Sequence, residues 1–346
     1  MDFNGGSPVA LTNSPMSSFE ASASICDTAG NLLFFTNAGP HFAFQDTVTG
    51  VWNRNLQLMP NGNLDSIHGG CYSASQGALI VPNPANPDQY YLFTMDCQEN
   101  GHVGGFRYSI IDMTLDGGLG DITVKAIQLS DSSNEKMCGI RHANGTDFWV
   151  VMHKGWTNSY LAYQITSAGI QLPVVSSLGA PNNQWSGGSL KANKCCDKIC
   201  HSTAPVQTMI FDFDNNTGVL SNVIQLSEIS SDTEFSANCR FLYVNNHGTK
   251  MMIQYDMNAA NIATSGVVID DSLALGDATA HMALGPDGKI YRAKAWIFLD
   301  VINDPDSVYP VCNLQKDAFD LLGRSSSYSL PTTLINGLHG PCAPNP

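Results

Sequence analysis

Short apolar runs, each closed by Gly, Asn, Asp or Pro, recur along the whole chain. Five segments share one form: an apolar strand, a tight turn, then a second apolar strand. They are SICDTAGNLLFFT (24–36), GIRHANGTDFWVV (139–151), LKANKCCDKIC (190–200), EFSANCRFLYV (234–244) and MALGPDGKIYRA (282–293). In the last, Pro286-Asp287-Gly288 makes the turn. Aligned on it, the third and fourth copies place Cys195-Cys196-Asp197 and Asn238-Cys239 at the turn. A second form follows most copies: a strand with aromatic or acidic alternation, a Gly/Asn turn, and a Val/Ile/Leu strand. It occupies 106–129, 160–175, 209–226 and 252–269.

Two hairpins in tandem make a four-stranded unit. The last four turns of the first form recur at an interval of roughly 43–50 residues, the length of a propeller blade. The pattern therefore predicts an all-β chain, a β-propeller of about seven four-stranded blades in one domain spanning 1–346. Asp2–Leu11 reads as a second-form hairpin without its partner. The Arg324–Leu334 stretch is expected to supply the missing strands, so that both chain ends share the closing blade and no sheet edge stays open. A pair of β-sandwiches is the competing reading, but sandwiches seldom hold one spacing for so long.

Composition agrees. Charged residues are only 13% of the chain, and 25 of its 30 acids are Asp, a turn former. The net charge of −14 argues against nucleic acid, since no basic patch is present to neutralise phosphates. No apolar run is long enough to span a membrane. Ten cysteines point to an oxidising, extracytoplasmic home and several disulfides. Cys26, Cys71, Cys97, Cys138, Cys195, Cys196, Cys200, Cys239, Cys312 and Cys342 are all candidates, with connectivity open. Met1-Asp2-Phe3 starts no secretion signal, so a secreted chain is expected to have lost one.

The stretches DFNGGSPVALTN (2–13), ASASICDTAGNLLFFTN (21–37), VWNRNLQLMPNG (51–62), ALIVPNPANPDQYYLFTMD (78–96), RYSIIDMTLDGGLGDITVK (107–125), RHANGTDFWVV (141–151), FDFDNNTGVLSN (211–222), LGPDGKIY (284–291) and GRSSSYSLP (323–331) carry a resemblance. Together they resemble the propeller-like N-terminal domains of large cell-surface and secreted proteins of Bacteroidota. Many of these carry PKD modules and a gliding-motility-associated, type IX secretion C-terminal domain. The resemblance implies a surface or secreted location but no shared catalytic residues. Residues 38–50 read as an insertion relative to it, the cysteines at 195, 196, 200 and 239 depart from it, and the sorting domain is expected either to have been processed off or to be lacking in a stand-alone propeller. Its O-glycosylation pattern, Asp-Ser/Thr followed by an apolar residue, falls at Thr28, Thr47, Ser66, Ser272 and Ser307, where the same dipeptide also makes good turns.

Among local motifs, Cys195-Cys196-Asp197-Lys198-Ile199-Cys200-His201 is the sharpest. Three thiols and an imidazole suit zinc, and Cys-x₃-Cys-His is a loosened haem-attachment pattern. A hairpin tied by disulfides is the favoured reading. Asp212, Asp214 and Asn216 alternate as calcium ligands would, yet Thr217 stands where a calcium loop needs Gly; a structural turn is favoured, and no cofactor is expected. The motifs of zinc proteases, serine hydrolases and nucleotide-binding loops are absent. His102, His142, His153 and His281 read as structural. Trp149 reads as core, whereas Trp156 and Trp185 sit in loop-like contexts and are candidates for stacking on sugars.

The expected function is a non-catalytic extracellular surface protein, for adhesion, binding or building an assembly, with a protein or glycan partner or further copies of itself. The alternatives are a secreted glycan-active propeller enzyme, or a metal or redox protein built on the Cys195–His201 cluster. A glycan enzyme needs converging carboxylates at the central channel; only five glutamates are available, although aspartates also serve.

Overall fold

The computed structural model describes residues 1–40, 48–63, 70–181, 187–203, 206–246, 248–272 and 281–335, without the side chains of 206 and 207. Among these residues there is no α-helix, and no helix is long and apolar enough to cross a membrane. The strands form six sheets in which strand order follows chain order, each strand antiparallel to the next. The first contains β1 (Ala23–Cys26), β2 (Leu32–Thr36), β3 (Gly50–Asn53) and β4 (Leu58–Asn63). The second contains β5 (Ala78–Asn83), β6 (Asn86–Met95), β7 (Phe106–Asp112) and β8 (Asp121–Ser130). The third has β9 (Met137–Arg141), β10 (Phe148–His153), β11 (Ser159–Thr166) and a divided outer strand, β12 (Gly169–Ile170) with β13 (Val174–Ser177). Pro173, with no N–H to donate, lies at the division.

The fourth sheet is β14 (Gly188–Ala192), β15 (Lys198–Thr203), β16 (Val206–Asp214) and β17 (Val219–Gln225). The fifth is β18 (Ser230–Phe235), β19 (Phe241–Asn246), β20 (Met251–Asp256) and β21 (Val267–Asp270). The sixth is β22 (Met282–Leu284), β23 (Ile290–Arg292), β24 (Phe298–Ile302) and β25 (Leu314–Asp320). The five first-form segments of the sequence are the β1–β2, β9–β10, β14–β15, β18–β19 and β22–β23 hairpins. The second-form segments are the outer hairpins of the second to fifth sheets.

Alternation along each strand sends successive side chains into different sheet–sheet interfaces. In β10, Val150 joins Leu79, Phe93 and Phe106 between the second and third sheets. Its neighbours Trp149 and Val151 join Ile199 and Phe211 between the third and fourth. Both faces of β10 are therefore dry, and all six of its residues are buried. Each such Val, Leu or Phe contributes about 1.5–3 kcal/mol by leaving water. First strands β1, β5, β9, β14, β18 and β22 lie innermost and touch in chain order from β1 to β22.

Two details differ from expectation. The described residues make six sheets rather than seven, and no sheet is shared between the chain ends. Phe3 and Leu330 pack against Tyr291 and Leu299 of the sixth sheet, and Asn4 Nδ2 donates to the Gly30 carbonyl in the β1–β2 turn of the first. The C-terminal stretch laces the ring without forming a strand there. Tyr328 N–H donates to Phe19 and Thr332 N–H to Ser22, while His281 N–H donates back to Tyr328. Rich in Ser and Thr and holding Pro331, the stretch lacks the alternation a blade strand needs. It becomes a strand only at β26 (Leu334–Ile335), parallel to β9.

Connectivity sorts the loops onto two faces. The lead-in to each first strand and every second-to-third-strand connection emerge at one end, here the upper face. Both hairpin turns of each sheet lie at the lower face.

Candidate functional site

Three of the chain's five glutamates meet on the upper face. Glu20 precedes β1, Glu135 precedes β9, and Glu99 lies in the β6–β7 connection. Ser75, in the lead-in to β5, stands between two of them: its hydroxyl is 3.4 Å from Glu20 Oε2 and 3.4 Å from Glu135 Oε2. The N–H of Gln98 donates to Glu135 Oε1 at 2.6 Å, and that of Ser75 to Oε2 at 3.3 Å. Glu135 is only 3% exposed and has a left-handed backbone, φ 52°. Such a conformation persists only where the surroundings impose it, and here Gln76 N–H donates to the Glu135 carbonyl. Ser73 donates to Glu99 Oε1 at 3.1 Å.

The electrostatics separate the carboxyls. Burial, then the charges of Glu135 and Glu99, push Glu20 well above the usual carboxylate range. Glu135, by contrast, accepts two backbone N–H bonds. The Cys71–Cys97 disulfide holds the frame, with Cα atoms 5.6 Å apart. It ties the lead-in carrying Ser73 and Ser75 to the loop carrying Gln98 and Glu99. Asp96 shapes the same loop by accepting from Cys97 N–H, Asn100 Nδ2 and Gly104 N–H.

A basic and aromatic group adjoins the glutamates. Lys136, wholly buried, has its ammonium pushed down to about 7 by burial, with Glu135 opposing; it donates to Asn134 Oδ1 at 2.6 Å. Behind it, His153 packs on Tyr160 and His201, and the Tyr160 hydroxyl lies 2.5 Å from His201 Nδ1. Burial holds His153 down to about 3 and His201 well below the usual imidazole range. His102 sets its ring edge-on to Trp156, centroids 5.4 Å apart. Burial lowers the pKa of His281 too, in the lead-in to β22.

The sequence-derived candidates fall as follows. Cys71–Cys97 and Cys195–Cys239 are disulfides, and Cys196 is disulfide-bonded as well. Cys26, Cys138, Cys200 and Cys312 are free thiols, which corrects the expectation for these four. Cys138, Cys200 and Cys312 are buried in three different interfaces and so cannot reach one another. Cys342 lies outside the described residues, as do Thr47, Ser66 and Trp185.

The Cys195–His201 cluster does not converge. Cys195 is spent on Cys239, the Cys200 thiol is pushed up to about 12 by burial, and His201 faces Tyr160. Alternation along β15 sends Cys200 and His201 to opposite sides. The metal or redox alternative therefore loses its donor set. Cys71, Asp96 and Cys97 sit close together, but the two sulfurs are bonded to each other.

At Asp212, Asp214 and Asn216 the carboxylates find their partners within the sheet itself. Asp212 pairs with Lys198 at 2.7 Å and accepts from Asn222, while Asp214 caps its turn by accepting from Asn216 N–H and Thr217. Thr28 is exposed in the β1–β2 turn, Ser272 is exposed and bonded to Asp270, and Ser307 is half-buried. Trp149 is core, with His142 stacked on it. Trp156 is 48% exposed.

Glu20, Glu99, Glu135, Ser75 and Lys136 were not legible as a site. The available signal was scarcity: three of five glutamates fall in connections of one kind of face.

No family model and no curated protein matches the chain. Solved structures do. A protein from Lactobacillus plantarum aligns with TM-score 0.53 at 11% identity over 86% of this chain and 82% of its own. A putative 6-phosphogluconolactonase from Bacteroides uniformis gives 0.52 at 12% over 84% and 82%. Hydrazine synthase of Kuenenia stuttgartiensis gives 0.50 at 13% over 85% and 82%. The fold is a β-propeller. This finding corrects the expectation of a non-catalytic surface or structural subunit, because that reading drew on the architecture, and the same architecture is found in hydrazine synthase and a putative 6-phosphogluconolactonase. At these identities the likeness carries the fold alone.

Proposed function

We propose that this propeller is an extracellular hydrolase acting on glycans, with Glu20 as proton donor and Glu135 as its charged partner. The observation that carries the reading is the Ser75 hydroxyl shared between Glu20, whose pKa burial and neighbouring charges raise, and Glu135, whose carboxyl accepts from two backbone N–H groups. Glycosidic bonds are cleaved by such pairs: one acid protonates the leaving oxygen while the other carboxylate attacks or activates water. Ser75 keeps the two oriented, and half-exposed Glu20 with exposed Glu99 leaves one side of the pair open to solvent. Disulfides in two places support the extracellular part of the proposal, as does the sequence resemblance to surface propellers.

The test is reducing-end release from a panel of neutral polysaccharides by the wild type, Glu20→Gln and Glu135→Gln. Turnover on at least one substrate, reduced about 10²-fold or more in either folded variant, is the expected result. Wild-type protein inert on the whole panel, or variants as active as wild type, would refute it.

A further inference from the structure

Two tryptophans stand out on the upper face. Trp156 lies in the β10–β11 connection of the third sheet and Trp296 in the β23–β24 connection of the sixth. They are 48% and 58% exposed, although a folded chain ordinarily hides most of an indole. Connections of this one kind emerge at the same end, and the two indoles belong to sheets three apart in chain order. The glutamate cluster belongs to that same end, its members coming from the first three sheets. The two indoles and the carboxyl pair thus share one end of the propeller.

Both are held in place. Trp156 has a left-handed backbone, φ 62°, and its ring meets the edge of buried His102. Gly155 and Ser159 anchor its loop: a Cβ on Gly155 would strike the Ser133 carbonyl at 2.7 Å, and Lys154 N–H donates to Ser159. Trp296 is fixed from the other side by the chain-closing stretch. Ser326 N–H donates to its carbonyl at 3.2 Å, and Ala295 N–H donates to Ser327 at 2.7 Å. Rigid exposed indoles offer flat apolar area at low entropic cost, which is what recognition surfaces use.

We infer that the substrate is a linear glycan long enough to rest on Trp156 and Trp296 at once while an internal bond lies at the glutamates. This deepens the hydrolase reading and rests on it. A small sugar would touch one indole at most and leave the other without a role. The net charge of −14 and three clustered glutamates repel polyuronates and favour neutral or amino-sugar chains.

The experiment uses the inactive Glu20→Gln/Glu135→Gln protein with cello-, xylo-, malto- and chito-oligosaccharide ladders from dimer to decamer, followed by tryptophan fluorescence and calorimetry. For one ladder, affinity should rise at least tenfold between the shortest and longest members. Trp156→Ala and Trp296→Ala should each return the longest member to the affinity of a short one, leaving short members little changed. Length-independent binding, absence of binding to every ladder, or tight binding of the decamer by both alanine variants would overturn the inference. Length-dependent binding without turnover by the wild type would remove the hydrolase reading but keep the glycan. Turnover of short glycosides alone would do the reverse.

Discussion

Removing the Cys195–Cys239 bridge tests whether the ring is stapled at its lower face independently of its chemistry. The bridge joins the β14–β15 turn to the β18–β19 turn, so it links two neighbouring sheets across 44 residues of sequence. On a chain-entropy model, opening a loop of that length frees the unfolded state by about 4 kcal/mol at 25 °C. The Cys71–Cys97 loop, with a separation of 26, gives about 3.5 kcal/mol by the same relation. With an unfolding entropy of about 2.1 cal/mol/K per residue, a 346-residue chain should lose about 5–6 °C of Tm in Cys195→Ser/Cys239→Ser. Scanning calorimetry on oxidised protein reads the shift, and urea unfolding checks that it is a change of midpoint. Glycan turnover at 25 °C should be unchanged in this variant, because no upper-face residue moves. Cys71→Ser/Cys97→Ser should lose similar stability and also turnover, since that bridge joins the loops of Ser75 and Glu99. A Tm shift below about 1 °C in the first variant, or equal loss of turnover in both, would refute the reasoning.

Three further outcomes follow from named contacts. Glu20 must be protonated to donate, so turnover should fall as pH rises through its elevated pKa; in Glu20→Gln that limb of the pH profile should vanish, whereas a profile unchanged in shape would exclude Glu20 as the acid. His153, held down to about 3, contributes stability that is complete above about pH 6.5 and is lost as pH falls towards its folded value, on the order of 5 kcal/mol in full. His153→Gln should flatten acid unfolding between those limits, and an acid midpoint identical to wild type would contradict this. Gly218 has φ 75°, and a Cβ there would meet the Trp149 ring at 2.7 Å. Gly218→Ala should therefore cost about 1–3 kcal/mol in urea unfolding, and a neutral result would show that Trp149 yields easily.

Strand identity, hairpin pairing and the ring architecture were legible in the chain, because they depend on local alternation and on turn chemistry repeated at a steady interval. Pro286-Asp287-Gly288 announces its hairpin without help from the rest of the molecule. The number of sheets was not legible: Arg324–Leu334 can be counted as strands, but its backbone pairs singly with the lead-in to the first sheet. The disulfides show the same divide. Ten cysteines indicate bridges, yet Cys138, Cys200 and Cys312 stay apart because strand alternation sends them into separate interfaces. The site depended wholly on tertiary structure. Glu20 and Glu135 stand more than a hundred residues apart in sequence, and neither carries a local motif. Only the packing of neighbouring sheets brings the lead-ins of β1, β5 and β9 together, where burial and the charges of Glu135 and Glu99 raise the pKa of Glu20.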